Sequence, residues 1–503
     1  MTEPVLTAPR SRRRLRAAIV WSYVQTGVRQ GMTVLVTFVL AAMLGPRIFG
    51  VIALALAPVL IVQALLQQVM LLAIVQRNEL DSDHLDAGFW LVMLASTGSA
   101  VATAALSPLW AAYNNLPELR DVTLALAPLI VLQGLAVVPE ALLRRNLTFR
   151  AIAARNIAAA TTGGVAGIGL ALLGAGVWAL VAQQLSTGAV GLVMLWLAAR
   201  WRPRLRLRRQ AARDLAGFSA HSAVGAAGYT FSERADALVM GAFFGPVAVG
   251  LFRLAVRLPE MLLEVTAGAM QQVALPDLAR LQDDRPAFVE RLRRLLHLSS
   301  AIGLPMLGVL AGCAPPLVGL LGPDWAAASL AIQVLCLAGA INLFGTMLAP
   351  TLQAIGRPGL LAVTAWLMGL LTVGGFALAG VLFAGREPAE TLLAITLTKV
   401  GVDLFVVTVA ALIVCRAVLR TTVHSFLTPM ASPALAGTGA FGAALLVQYL
   451  LPAGTPSLVT LAAAGIAASG AGAGLLLVTD PPITDLVRRW LGRARSAGAV
   501  SQP

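Results

Sequence analysis

The sequence predicts an all-α polytopic membrane protein with about 14 transmembrane helices, arranged as two six-helix bundles plus two C-terminal helices. Three observations predict it. Hydrophobic residues make up 58% of the 503 and charged ones 12%, with mean hydropathy +0.83, far from the composition of a soluble domain. The apolar residues gather into runs of the roughly 20 residues that a bilayer crossing needs. Arginine fills every second connection between those runs and is nearly absent from the others.

The runs lie at about 17–43, 50–75, 87–110, 121–143, 151–173, 176–199, 215–244, 247–275, 295–321, 326–354, 360–383, 391–415, 432–451 and 458–478. Connections on one side carry 29 arginines, among them seven between Arg200 and Arg213, against Arg47, Arg120 and Arg386 on the other. Basic connections are held in the cytoplasm, so both termini are expected there, in a polytopic inner-membrane protein. The formal charge of +14 then reports orientation and gives no reason to expect a nucleic-acid partner. The first apolar run continues without a small-residue cleavage site and reads as a retained helix.

The resulting division is a basic N-terminus (1–16), an N-lobe (17–199), a basic linker (200–214), a C-lobe (215–415), an appended helix pair (432–478) and a cytoplasmic tail (479–503). A repeat supports two matched lobes. Gly45-Pro46-x-x-x-Gly50 closes the first span and Gly245-Pro246-x-x-x-Gly250 the seventh, each followed by a Gln-Gln-Val triplet at 67–69 and 271–273. Gly-Pro past a helix end stops one helix and starts another. Both copies lie between an outgoing and an incoming span, so the lobes share one membrane orientation, as in parallel-repeat transporters.

Five cations remain at membrane depth: Arg29, Arg234, Arg253, Arg257 and Lys399. Each costs about 2.5–3.5 kcal/mol at a helix centre, so such groups face a bundle interior or a watery cavity. At 100° per residue, Arg253, Arg257, Glu260, Glu264 and Gln271 fall on one face of span 8. Ser22, Gln25, Thr26, Arg29 and Thr33 do so on span 1, His221, Ser232 and Asp236 on span 7, and Gln63 and Gln67 add to span 2. Two arginines one turn apart suit phosphate oxygens. Closed ion pairs that only fasten helices are the other reading, for Arg257 with Glu260 or Glu264 and for Lys399 with Asp403. Glu140, beside Arg144 and Arg145, reads as a surface pair.

Several chemistries find no support. The one lysine, Lys399, follows Thr398, so a GxxxxGK[ST] phosphate loop and its ATP hydrolysis are excluded. Cys313, Cys336 and Cys415 each sit alone in an apolar span, as buried packing residues, and the four histidines are scattered; no metal or cofactor is expected. Asp81-Ser82-Asp83 has a glycosyltransferase-like spacing, but it opens a helix, where acidic capping is ordinary. The outward connections are short, which speaks against an enzyme such as a polysaccharide polymerase or ligase.

Leu44-Gly45-Pro46-Arg47-Ile48-Phe49-Gly50, Ile74-Val75-Gln76-Arg77 and His84-Leu85-Asp86-Ala87-Gly88-Phe89-Trp90 resemble the opening of bacterial polysaccharide-transport flippases. These are the lipopolysaccharide and exopolysaccharide repeat-unit exporters of the multidrug/oligosaccharidyl-lipid/polysaccharide exporter superfamily. PEALLRRNLTF at 139–149, GAGVWALV at 174–181, Arg234-Ala235-Asp236, PDLARLQD at 276–283 and QAIGRP at 353–358 extend the likeness over about residues 20–420. It implies two lobes in a V around a central cavity lined by spans 1, 2, 7 and 8. It also implies the substrate, an oligosaccharide on undecaprenyl diphosphate, moved between leaflets by alternating access. Arg29, Arg253 and Arg257 would hold the diphosphate, and Gln63, Gln67, Gln271 and Gln272 the sugar hydroxyls. Asp236, Glu260, Glu264, Lys399 and Asp403 would tune the cations or carry a coupling proton. A polysaccharide polymerase and a chain-length regulator are the protein partners this implies. A cationic drug antiporter of the same superfamily and a lipid II flippase are the alternatives; aromatics, at 6%, offer no sugar-stacking cluster.

Overall fold

The computed structural model describes residues 12–76, 82–146, 148–199, 201–204, 209–383, 385–452, 454–485 and 488, and these contain helices and no strand. In order the α-helices are α1 (Arg12–Gln76), α2 (Ser82–Tyr113), α3 (Glu118–Leu126), α4 (Pro128–Arg145), α5 (Phe149–Leu172), α6 (Val177–Ala199) and α7 (Arg209–Ala279). Then come α8 (Arg285–Gly319), α9 (Ala328–Ala354), α10 (Pro358–Leu382), α11 (Pro388–Leu412), α12 (His424–Leu427), α13 (Ala431–Leu450) and α14 (Ser457–Thr479). Among the described residues, 11 helices are long and apolar enough to cross a membrane. Two of them, within α1 and α7, each hold two expected spans; α5, diluted by Arg155, Asn156 and small residues, adds one more. Every expected span therefore has its helix, and the chain is a multi-pass membrane protein.

The breaks in the long helices fall where Gly-Pro predicts them. Gly45 adopts φ 74°, ψ 168° and Gly245 φ 72°, ψ 172°, left-handed-side values that a Cβ would strain, and a proline restarts the helix after each. The expected fourth span stays helical through Ala127 (φ −53°, ψ −37°), where Pro128 removes one backbone hydrogen bond without breaking the 28-residue helix from Glu118 to Arg145. Helices also overrun their apolar runs. α8 begins in the arginine-rich connection, where Asp284 caps it by accepting from the Ala287 N–H at 3.1 Å. Hydropathy marks the bilayer, whereas arginine, leucine and alanine keep a helix going beyond it.

The chain forms two compact units. The first comprises 1–40, 58–110 and 117–223; the second comprises 41–57, 111–116 and 224–503. In the first, α5 and α6 form an antiparallel hairpin through Gly174 and Gly176, both at positive φ, and α6 packs on α4. Phe89 and Trp90 of α2 meet edge to face, and Trp196 and Trp201 each lie edge-on to Phe89. Trp90 donates its Nε1–H to the Arg204 carbonyl at 2.8 Å and buried Asp86 accepts from the Arg204 N–H at 3.1 Å, pinning the start of the linker. Glu140 is no surface pair. It is 3% exposed and holds Arg144 at 2.6 Å and Arg155, from the next span, at 3.2 Å. The turn between α4 and α5 folds Arg155 back over it, an approach that local spacing cannot reveal.

In the second unit α8 packs against α9, α13 and α14, while α11 joins α9 to α10. The appended pair is seated by small residues: Ala440, Ala444, Ala464 and Ala468 bury against Cys313 of α8. Gln448 donates to the Gly312 carbonyl at 2.7 Å. Close backbones and a polar side chain between them are how helices associate in lipid. All three cysteines are buried and unpaired, as expected of packing residues.

Candidate functional site

The segment 41–57 spans the first Gly-Pro break, and it packs inside the second unit. A Cβ built on Gly50 would lie 1.7 Å from the Pro246 carbonyl oxygen, and one on Gly250 would lie 1.9 Å from the Pro46 carbonyl oxygen. The two repeats thus touch backbone to backbone, each glycine receiving the other's proline, in a locally two-fold arrangement. Trp325, 1% exposed in the short connection before α9, donates Nε1–H to the Ala41 carbonyl at 3.1 Å. Its ring meets Phe49 edge to face at 5.7 Å. The carbonyl of buried Ala41, one turn before the break, thereby gains a side-chain donor.

Below that crossing runs the expected charged face. Arg253 points its Nη2 at Asp236 Oδ1, 3.0 Å away, and that same oxygen accepts from the Ala237 N–H at 2.7 Å. Asp236 is buried and Arg253 mostly so. Arg257, one turn on, lies 3.2 Å from Glu264 and 3.9 Å from Glu260, and all three side chains are between 39% and 54% exposed. The two arginines of the predicted fork are therefore unlike. Arg253 is clamped by a buried carboxylate whose own second contact fixes it, whereas Arg257 faces two half-exposed glutamates, one of them at 3.9 Å. A guanidinium has five N–H donors, so one contact to Glu264 leaves donors for an incoming anion.

Two of the four glutamines already spend a donor within their own unit. Gln63 donates Nε2–H to the Leu129 carbonyl of α4, and Gln271 donates to the Thr346 carbonyl of α9, both at 2.9 Å. They tie equivalent helices of the two repeats, each keeping its amide oxygen for another partner. Gln67 is half-buried on α1. Arg29, His221 and Gln272 lie on their helices, but their side chains fall outside the described residues, as do the tail arginines beyond Arg488.

Lys399 and Asp403 pair across one turn of α11, and Asn342 of α9 donates to the other oxygen of Asp403 at 2.8 Å. Asp403 is fully buried. The sequence showed the Lys–Asp spacing and missed Asn342, although an asparagine in an apolar run was a visible signal. Trp325 was missed too, since nothing in its short connection announces a contact with Ala41.

A family model described as "Polysaccharide biosynthesis protein" matches residues 39–330, more than half of the chain. The succinoglycan biosynthesis transport protein ExoT of Rhizobium meliloti (strain 1021) is 24% identical over 358 residues, covering 71% of this chain and 72% of that protein. The teichuronic acid biosynthesis protein TuaB of Bacillus subtilis (strain 168) is 21% identical over 61% of this chain and 64% of its own length. Among solved structures, lipid II flippase MurJ in an inward closed conformation superposes with TM-score 0.69 at 12% identity, over 92% of this chain and 98% of that one. An inward-facing multidrug resistance MATE family transporter of the MOP superfamily gives 0.58 at 15% identity, over 78% and 95%. The likeness to these two structures is one of fold.

Proposed function

The chain belongs to the polysaccharide biosynthesis protein family, and from that membership we propose a secondary transporter that flips undecaprenyl-diphosphate-linked oligosaccharide repeat units from the inner to the outer leaflet of the bacterial inner membrane. Its relative ExoT is named for transport in succinoglycan biosynthesis and TuaB for teichuronic acid biosynthesis, which supports a surface-polysaccharide repeat unit as cargo. The fold shared with a lipid flippase supports a lipid-borne one. The arginine-rich connections and both termini face the cytoplasm in this reading, and a polymerase and chain-length regulator take up the product.

The observation that carries it is Arg257: a half-exposed guanidinium at membrane depth whose partners are two half-exposed glutamates. Two carboxylates keep the cation neutralised while no substrate is bound, which lowers the cost of burying it. A diphosphate arriving on its lipid displaces Glu264 and accepts from the freed N–H groups, a charge-assisted exchange of one acceptor for another. Arg253, held by Asp236, supplies positive potential without changing partners. Glu260 and Glu264, released, are free to take up a proton, so coupling and substrate binding share one set of groups. Gln271, through its amide oxygen, and Gln272 offer hydrogen bonds to the glycan; Lys399 and Asp403 respond at a distance.

Replacing Arg257 by glutamine should abolish glycan export at normal protein level, while Arg257→Lys retains a part of it. Full export by Arg257→Gln contradicts the assignment. Three acids around two arginines favour a second reading, a cation-coupled drug antiporter of the same superfamily. Expression that raises resistance to cationic drugs, with no effect on glycan, selects it.

A further inference from the structure

At the level where α8 and α13 begin and α14 ends, the second unit contains a cavity of about 690 Å³. Its wall is fixed by a polar knot. His297 Nδ1 lies 2.7 Å from the Pro429 carbonyl oxygen and Nε2 3.1 Å from Asp480 Oδ2. Asp480, 2% exposed, also accepts from the Ser432 hydroxyl at 2.8 Å and the Ile483 N–H at 3.2 Å. One carboxylate thus joins α8, the start of α13 and the end of α14.

The cavity lining mixes two chemistries. Arg293 and Arg294 line it together with Glu290 and Asp480, each of which has a partner of its own (Arg294 and His297), and Leu298, Pro482 and Ile483 add apolar surface. Arg294 is exposed and reaches Glu290 at 3.1 Å. Arg293 is half-buried, and its Nε–H goes to the Ser425 carbonyl at 2.8 Å. Among the described residues it has no ion pair, so its terminal N–H groups keep a positive charge at the cavity edge. A guanidinium held this way binds phosphate oxygens readily. Basic pockets between membrane helices, on the side where arginine-rich connections lie, are where anionic headgroups dock.

We propose that this cavity binds the headgroup of an anionic phospholipid from the leaflet on the arginine-rich side of the membrane. The lipid phosphate accepts from Arg293 and Arg294, and the glycerol and first methylenes lie against Leu298, Pro482 and Ile483. Because its wall is built from α8, α13 and α14 together, the bound lipid fastens the appended helix pair to the rest of the unit. A free phosphate shares the anionic chemistry but gains nothing from the apolar face.

The test is the melting temperature of the full-length protein in phosphatidylcholine nanodiscs, with phosphatidylglycerol added or with inorganic phosphate added. Phosphatidylglycerol should raise it by a few degrees and inorganic phosphate should not. The Arg293→Gln/Arg294→Gln variant, which loses the Arg293 bond to Ser425 and melts lower for it, is read against its own melting temperature in phosphatidylcholine and should lose the increment. An equal increment in the variant, or from further phosphatidylcholine, overturns the site; an equal one from inorganic phosphate overturns the lipid as its occupant. Should the variant fail to fold, a photoactivatable phosphatidylglycerol decides on the wild type. Crosslinks within 290–298 or 479–483 support the site, and crosslinks confined elsewhere overturn it. No glycan enters either measurement, so failure here leaves the flippase reading untouched, and failure of export variants leaves this site untouched.

Discussion

Gly50 lies against the carbonyl oxygen of Pro246, so closely that a Cβ there would sit 1.7 Å from it, and Gly250 repeats the contact on Pro46. Neither side chain nor solvent separates the two repeats at this crossing. Since the obstacle is backbone, no rotamer change relieves a substitution.

Gly50→Ala and Gly250→Ala should each destabilise the protein, by about 1–3 kcal/mol as for other overpacked sites, because segment 41–57 must lift from the helix it touches. Thermal melting of the detergent-solubilised protein measures this. Gly98→Ala, inside α2 where a Cβ meets nothing within 4 Å, is the control and should melt no lower than the wild type.

Trp325 fills space and also supplies a proton donor. Trp325→Phe keeps the edge contact with Phe49 but leaves the Ala41 carbonyl without that bond, a loss of about 1 kcal/mol. Trp325→Ala removes the ring as well and should cost about 3–5 kcal/mol. Melting curves of the two variants should therefore separate clearly.

For Lys399 and Asp403, fastening and coupling give opposite outcomes. Either single replacement by leucine leaves a buried charge unpaired, at a cost of about 3–5 kcal/mol, whereas the double replacement removes both charges and restores stability. Export by the double variant at wild-type rate identifies a fastener. Stable protein without export identifies a coupling pair.

In the proposed exchange Glu264 and substrate share Arg257, so removing the glutamate charge should help binding. Glu264→Gln is expected to bind lipid-linked substrate more tightly and, having lost an exchange partner, to release it more slowly. Asp236→Asn acts otherwise: it frees Arg253 from its clamp and should lower stability before it alters affinity. Binding titrations on purified variants, alongside melting curves, distinguish the two.

Spans, breaks and the charged face were legible because each is local. Apolar runs mark the bilayer, Gly-Pro forces a break, and a 100° step puts Arg253, Arg257, Glu260 and Glu264 on one face. What was not legible depends on how the chain returns. Asp236 and Arg253 are 17 residues apart and meet because α7 turns at Gly245, so face arithmetic within one span could not join them. Asn342 reaches Asp403, and Trp325 reaches Ala41, across helices that only tertiary packing makes neighbours. The glutamine pairs look alike in sequence, yet Gln63 and Gln271 spend a donor on a helix carbonyl, which composition cannot foresee.

Reconstituted proteoliposomes carrying fluorescent undecaprenyl-diphosphate oligosaccharide test the central claim most directly, with a membrane-impermeant quencher reporting which leaflet holds the label. Wild-type protein should equilibrate the label between leaflets, and Arg257→Gln, equally folded and inserted, should leave it where it was placed. Equilibration by Arg257→Gln at the wild-type rate contradicts the account.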